Sequence, residues 1–442
     1  MIIQFKDRKR ELKEILKILN SNRFEFLIIY GRRRIGKTAL MLKAIEKKNY
    51  LYYFAMGERD LERFYEIIRT KFPEVEDYKI DWITLFKFLK NKVDGVIIDE
   101  IQNIIKEDKT FLSKLQFISD NILNDSKFKL ILIGSSISTI TSMLSYSSSL
   151  YGRRTASFEL KPIKFFDLNE FFPNKPIEEL VQIYGFADGI PYYLIKIKGN
   201  FWDYLSKELK SYSSFLKDEI DFLMRYEFDD PTLYKSILEA IAFGKTKIKE
   251  IKDYLKIKRT DITPYLKNLI NVKLIKREVP ITLPLKSRYG QYFISDNFIN
   301  FWFRFIYPNL PLLESGNFNV NLIKKNYNAY LGHIFEKICF EYITEFRPFN
   351  FTRIGRWWHK DKEIDIVAIN EFKNEILFAE CKWKSNVNAK QVLKELKEKA
   401  KYVQWNIENR KEKYAIFAKS FKVKTDEAMC VDLREFGRRV ER

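Results

Sequence analysis

Over the first 150 residues, short apolar runs alternate with longer stretches whose apolar positions recur every three or four residues. This is the pattern of βαβ units around a parallel sheet. The runs Phe26–Tyr30, Leu51–Phe54, Gly95–Asp99 and Leu130–Gly134 predict strands, and Lys37–Lys48 and Thr110–Asn124 predict helices. Ser135–Ser149 holds eight serines in fifteen residues and reads as a polar, mobile connection. From Phe165 to Tyr226 the pattern is helical, broken at Asp188-Gly189-Ile190-Pro191. Three short helices (Tyr234–Ala242, Lys247–Leu255, Asp261–Leu269) and two strands (Val272–Val279, Tyr289–Ile294) come next, an order that fits a winged helix. Pro308 and Pro311 mark a linker. Beyond it lie a helix over Tyr330–Tyr342, a strand pair Glu363–Asn370 and Glu375–Lys382, and a helix over Lys390–Trp405.

The expected organisation is therefore α/β. A P-loop core spans 1–160, a helical lid 161–228, a winged helix 229–300, a linker 301–325 and a final α/β domain 326–442. A length of 442 residues fits about three domains at roughly 100 to 200 residues each. No apolar run approaches the roughly 18 residues of a membrane span, so the expectation is a cytoplasmic chain without a membrane partner.

Composition narrows the chemistry. Cys339, Cys381 and Cys430 are too widely spaced in sequence to suggest a disulfide framework or a zinc knuckle. With only His333 and His359, a histidine-rich metal site is also disfavoured, which leaves a hard cation on carboxylates, with Mg2+ expected. The net charge of +20 points to a polyanion, and DNA is the partner expected; a solvated lysine-rich surface is the plainer alternative. The excess is uneven: residues 231–300 hold 14 Lys and Arg against 6 Asp and Glu. There Lys258, Arg259, Lys267, Lys286 and Arg288 can meet phosphates, while Thr260, Thr263 and Tyr265 can reach sugars or base edges. A packing module that only joins two domains would use the same pattern.

Gly31-Arg32-Arg33-Arg34-Ile35-Gly36-Lys37-Thr38 follows a predicted strand and opens a predicted helix, the context that a phosphate-binding loop requires. Its glycines let the backbone amides approach an anion, Lys37 reaches the β- and γ-phosphates of ATP, and the Thr38 hydroxyl can bind Mg2+. The strand Gly95–Asp99 ends in Asp99, a second Mg2+ ligand, and Glu100, the candidate base for the attacking water. Ser135, after another strand, can sense the γ-phosphate. Arg153 and Arg154 can neutralise transition-state charge in cis or across a boundary between copies of a homo-oligomer; an exposed basic pair is the simpler reading.

Near the carboxyl terminus, Asp365 sits in one apolar strand while Glu380 and Lys382 share a face of the next. Paired through Asn370–Asn374, the strands would give two carboxylates to hold Mg2+ and a lysine to position water, with Glu336 as a third acid. A structural ion pair through Lys382 is the alternative.

Together these motifs resemble the archaeal ATPase family of P-loop proteins, related to the AAA-like and STAND ATPases, with a carboxyl-terminal domain similar to PD-(D/E)XK nucleases. Phe5–Leu12 resembles the family's amino-terminal motif, Gly31–Thr38 its Walker A and Val96–Gln102 its Walker B. Tyr151–Arg154 and Gly189–Tyr193 resemble later motifs, the second similar to the Gly-x-Pro turn of STAND proteins. Leu331–Glu336 with Asp365, Glu380 and Lys382 resembles the nuclease-like end, although Ile364 stands where the motif's name has proline. The resemblance implies an ATPase, a winged helix and a potential nuclease in one polypeptide.

Overall fold

The strands β1 (Glu25–Tyr30), β2 (Tyr50–Phe54), β3 (Gly95–Asp99), β4 (Lys129–Gly134) and β5 (Ala156–Glu159) are parallel and lie in the order β2-β3-β4-β1-β5 in the computed structural model. The structure describes residues 6–146 and 148–440; Phe5 of the amino-terminal motif and Ser147 of the serine-rich stretch lie outside them. The chain divides into two compact units, residues 1–162 and 163–442. Because helices cover the sheet of the first unit, its inner strands are apolar on both faces: every residue of β3 and β4 is buried. Phe64, Trp82, Phe86 and Phe111 fill the core on one side. The strand order brings the carboxyl ends of β3, β4 and β1 side by side, so the loops after them share one edge.

The serine-rich stretch is more ordered than its composition suggests. Ile137–Met143 is helical because Ile137, Ile140 and Met143 recur at helical spacing and are buried, with Ser136 capping the first turn.

After a 3-10 turn at Phe165–Glu170, the second unit runs through the helices Ile177–Ala187, Pro191–Leu194, Phe201–Lys210 and Glu219–Glu227, with the first break at Asp188–Ile190. The helices Thr232–Ala242, Ile248–Tyr254 and Thr263–Asn271 lead into an antiparallel hairpin of β6 (Ile275–Glu278) and β7 (Gln291–Ile294). The expected linker over 301–325 is instead folded. A π turn at Trp302–Ile306 and a short helix at Leu310–Glu314 bury Trp302, Phe303, Ile306 and Leu313, and the Trp302 indole donates to the Leu216 carbonyl at 2.6 Å. Pro308 and Pro311 do not open a linker, because each stands in the first turn of a helix, where a missing N–H breaks nothing.

The long helix Asn321–Phe346 is followed by β8 (Arg353–His359), β9 (Lys362–Asn370), β10 (Glu375–Lys382), β11 (Val387–Asn388), the helix Ala389–Ala400, β12 (Lys411–Ala418), β13 (Phe421–Val423) and β14 (Met429–Val431). β14-β12-β10-β9-β8 form a mixed sheet, parallel on the β12 side of β10 and antiparallel on the β9 side; β11 pairs with β13. Among the described residues no helix is long and apolar enough to cross a membrane.

Candidate functional site

The phosphate-binding loop leaves β1 at Gly31, whose φ of +149° and contact with the chain leave no room for a side chain: a Cβ there would stand 2.4 Å from the Leu160 carbonyl oxygen. Gly36, at φ +92°, turns the loop into the helix Lys37–Ile45. Lys37 is buried, and its ammonium donates to the carbonyls of Gly31 at 2.9 Å and Arg32 at 3.0 Å, which holds it across the loop mouth. Arg8, of the amino-terminal motif, is buried too; it donates to the Ile35 carbonyl at 3.1 Å and pairs with Glu11 at 2.9 Å, bracing the loop from behind.

Thr38, Asp99, Glu100 and Ser135 come together across this edge. The Thr38 hydroxyl donates to Asp99 Oδ2 at 2.5 Å and the Tyr52 hydroxyl donates to the same oxygen at 2.9 Å. Burial pushes the Asp99 carboxyl above its ordinary range, against the pull of both hydroxyls. Glu100 departs from the strand with φ +55°, a left-handed conformation that few side chains adopt. Its carboxylate accepts the Ser135 hydroxyl at 2.5 Å and the Gln102 amide. Tyr52 was not foreseen, since only the pairing of β2 with β3 brings it to Asp99. A hydroxyl and a carboxylate converging at 2.5 Å form a hard oxygen donor pair of the type Mg2+ takes.

Arg153 is not brought to this edge. Thr155 N donates to the Phe26 carbonyl at 2.9 Å, so the chain enters β5 level with the start of β1, at the end of the sheet opposite the loop. Arg153 is paired there with Asp120 at 2.9 Å, which corrects the expectation that Arg153 acts as a finger in cis.

In the second unit β9 and β10 pair as foreseen, and the register of Ile366 with Ala379 carries Asp365 to the level of Glu380. Asp365 Oδ2 accepts the Cys381 amide at 2.8 Å. Burial first, then the charges of Glu336 and Glu380, push the Asp365 carboxyl up to about 7. Burial opposes the Glu336 carboxylate as well, but His333 at 3.2 Å and Arg356 at 3.2 Å outweigh it and hold Glu336 below the usual range. Glu380 accepts Lys382 at 2.7 Å and Lys399 at 2.9 and 3.1 Å. The donors suit a hard cation by type, yet among the described residues no three of them converge as a ready metal site. Sequence reasoning missed Arg356 and Lys399, which come from β8 and from the helix Ala389–Ala400. Cys339, Cys381 and Cys430 are free thiols.

On the three-helix segment, Lys258, Arg259, Thr260, Thr263 and Lys267 are exposed and Tyr265 is half-buried; Lys286 and Arg288, between β6 and β7, are exposed as well.

Residues 5–197 match a family described as an ATPase domain predominantly from Archaea, and residues 302–396 match one described as archaeal and bacterial proteins of unknown function. The chain is 49% identical over 442 residues to the uncharacterized protein MJECL04 of Methanocaldococcus jannaschii, covering 98% of this chain and 100% of that one. It is 31% identical over 125 residues to the uncharacterized ATP-binding protein MJ0075 of the same organism, covering 27% of this chain and 32% of that one. The Walker-type ATPase PABY2304 of Pyrococcus abyssi shares the fold with a TM-score of 0.52 at 22% identity, over 68% of this chain and 96% of that one. The loop, its acid pair and a relative matched from end to end lead to one conclusion: the chain belongs to the archaeal P-loop ATPase family, as an ATP-binding ATPase with a second conserved domain after the nucleotide unit.

Proposed function

We propose that the chain couples Mg2+-dependent ATP hydrolysis to an action on DNA. The observation that carries the first half is the meeting of Thr38 with Asp99 and of Ser135 with Glu100 at the mouth of the phosphate loop. Thr38 and Asp99 would hold Mg2+, which screens charge on the phosphate oxygens. Loop amides receive the phosphates, and the Lys37 ammonium leaves the Gly31 and Arg32 carbonyls to meet the β- and γ-oxygens. Glu100, kept in place by Ser135 and Gln102, orients the attacking water and takes its proton.

DNA would be engaged by the three helices and the β6–β7 hairpin, read as a winged helix with Lys258, Arg259, Lys267, Lys286 and Arg288 as phosphate contacts. The cluster of Glu336, Asp365, Glu380 and Lys382 is read as a PD-(D/E)XK-like hydrolytic centre, because three acids from different elements are drawn close enough for the charges of Glu336 and Glu380 to act on the buried Asp365. A second reading, a STAND-type switch that binds nucleic acid or a protein partner without cutting, is favoured by the occupation of Glu380 by two lysines.

The test incubates the purified chain with supercoiled, linear and branched DNA, with and without ATP, in Mg2+ or Mn2+. Cleavage that disappears in Asp365→Asn while ATP turnover persists supports the hydrolytic centre. ATP-dependent retention of uncut DNA supports the switch, and absence of retention and cleavage alike contradicts action on DNA.

A further inference from the structure

Three carboxylates and three cationic side chains meet at the carboxyl-terminal cluster. Arg356 answers Glu336, while Lys382 and Lys399 answer Glu380, with Asp365 between them. Lys399 bonds both oxygens of Glu380, so it covers the open side of a carboxylate that is only 6% exposed.

The three cations differ in how they are held. The Arg356 guanidinium lies over the Phe293 ring at 5.2 Å and faces several acids, so its position is fixed from more than one side. Lys382 stands two residues from Glu380 on the same strand, and the pleat keeps the pair together. Lys399 arrives from the last turn of the separate helix Ala389–Ala400 on a four-carbon stem, and its side chain is 28% exposed. Its ammonium can move into water by rotamer changes alone, without disturbing the helix. Two other lysines of that helix are not part of the cluster: Lys397 pairs with Glu427, and Lys394 is exposed, while Glu395 of the same helix acts on Lys382.

We propose that Lys399 is a built-in counter-ion that occupies the Glu380 carboxylate in place of a hard divalent cation, so that entry of Mg2+ or Mn2+ and the Lys399 pair exclude one another. The inference rests on reading the cluster as a metal-dependent centre. Mutual exclusion is reciprocal: removing the lysine tightens cation binding, and the cation releases the lysine.

Mn2+ binding is followed by electron paramagnetic resonance on the full chain without nucleotide, in an Asp99→Asn background that removes the acid of the ATP site. Lys399→Met, and Lys399→Gln with its polar head kept, are expected to lower the Mn2+ dissociation constant about tenfold. Lys397→Met is expected to leave it unchanged, and Glu380→Gln to abolish binding. In the unmutated chain, Mn2+ is expected to increase acetylation of Lys399 by an amine-reactive ester, read by mass spectrometry, which tests the idea without any substitution. Equal Mn2+ affinity with and without Lys399, still lost in Glu380→Gln, or unchanged acetylation of Lys399 at saturating Mn2+, overturns the lysine's role and leaves the metal centre standing. Failure of every variant to bind Mn2+ overturns the inference and the metal-dependent reading together.

Discussion

The phosphate loop of the first unit and the acidic cluster of the second both place carboxylates at the ends of apolar strands, but they satisfy them differently. Asp99 and Glu100 are bonded by hydroxyls and an amide, from Thr38, Tyr52, Ser135 and Gln102. Glu336 and Glu380 are bonded by a guanidinium, an imidazole and two ammonium groups. A hydroxyl can turn from a carboxylate to a ligand without separating charge, whereas an ion pair in a half-dry place cannot. The first site can therefore take a ligand by turning neutral groups, whereas a cation at the second would have to displace an ion pair.

The comparison breaks most visibly at Lys37. Lys37→Ala removes the cation that meets the phosphates, and steady-state ATP turnover is expected to fall at least about a hundredfold. Mn2+ affinity at the carboxyl-terminal cluster should stay as it was, so a parallel loss there would mean that the two sites do not stand independently.

A smaller effect sharpens the contrast in buried acid. Glu341, on the long helix, lies near the Phe166 amide and the Tyr184 hydroxyl, and burial raises its carboxyl from 4.5 to about 7, with Lys337 and Lys164 opposing. The folded state then holds its proton at pH values where the unfolded chain has released it. Its contribution is fullest below about pH 4.5 and is lost as pH rises toward 7, by up to about 3 kcal/mol. Glu341→Gln should flatten the decline of melting temperature between pH 5 and 8, and an unchanged slope would remove Glu341 from the account. The smallest expected effect is at Arg153. Since it pairs with Asp120 at the far end of the sheet, Arg153→Ala should change ATP turnover of the isolated chain by less than about twofold.

Legibility in the sequence followed how local each feature is. Gly31–Thr38 is one contiguous loop, and the strand running into Asp99-Glu100 announces itself by four apolar residues, so both could be read directly. The hairpin through Asn370–Asn374 was legible in the same way, and its register brings Asp365 to the level of Glu380. Tyr52, Arg356 and Lys399 escaped because each reaches its partner only through tertiary packing, with no motif to single out one tyrosine among 25 or one basic residue among 79. Two misreadings had a local cause: prolines in first helical turns looked like a linker, and serines masked the apolar spacing of Ile137, Ile140 and Met143.

The central claim is that Glu100 directs water at the nucleotide site. Single-turnover hydrolysis of ATP by Glu100→Gln, with nucleotide affinity measured in parallel, tests it directly. ATP affinity within about threefold of the parent and hydrolysis slowed about a hundredfold or more is the predicted result; hydrolysis at the parental rate with affinity intact would contradict it.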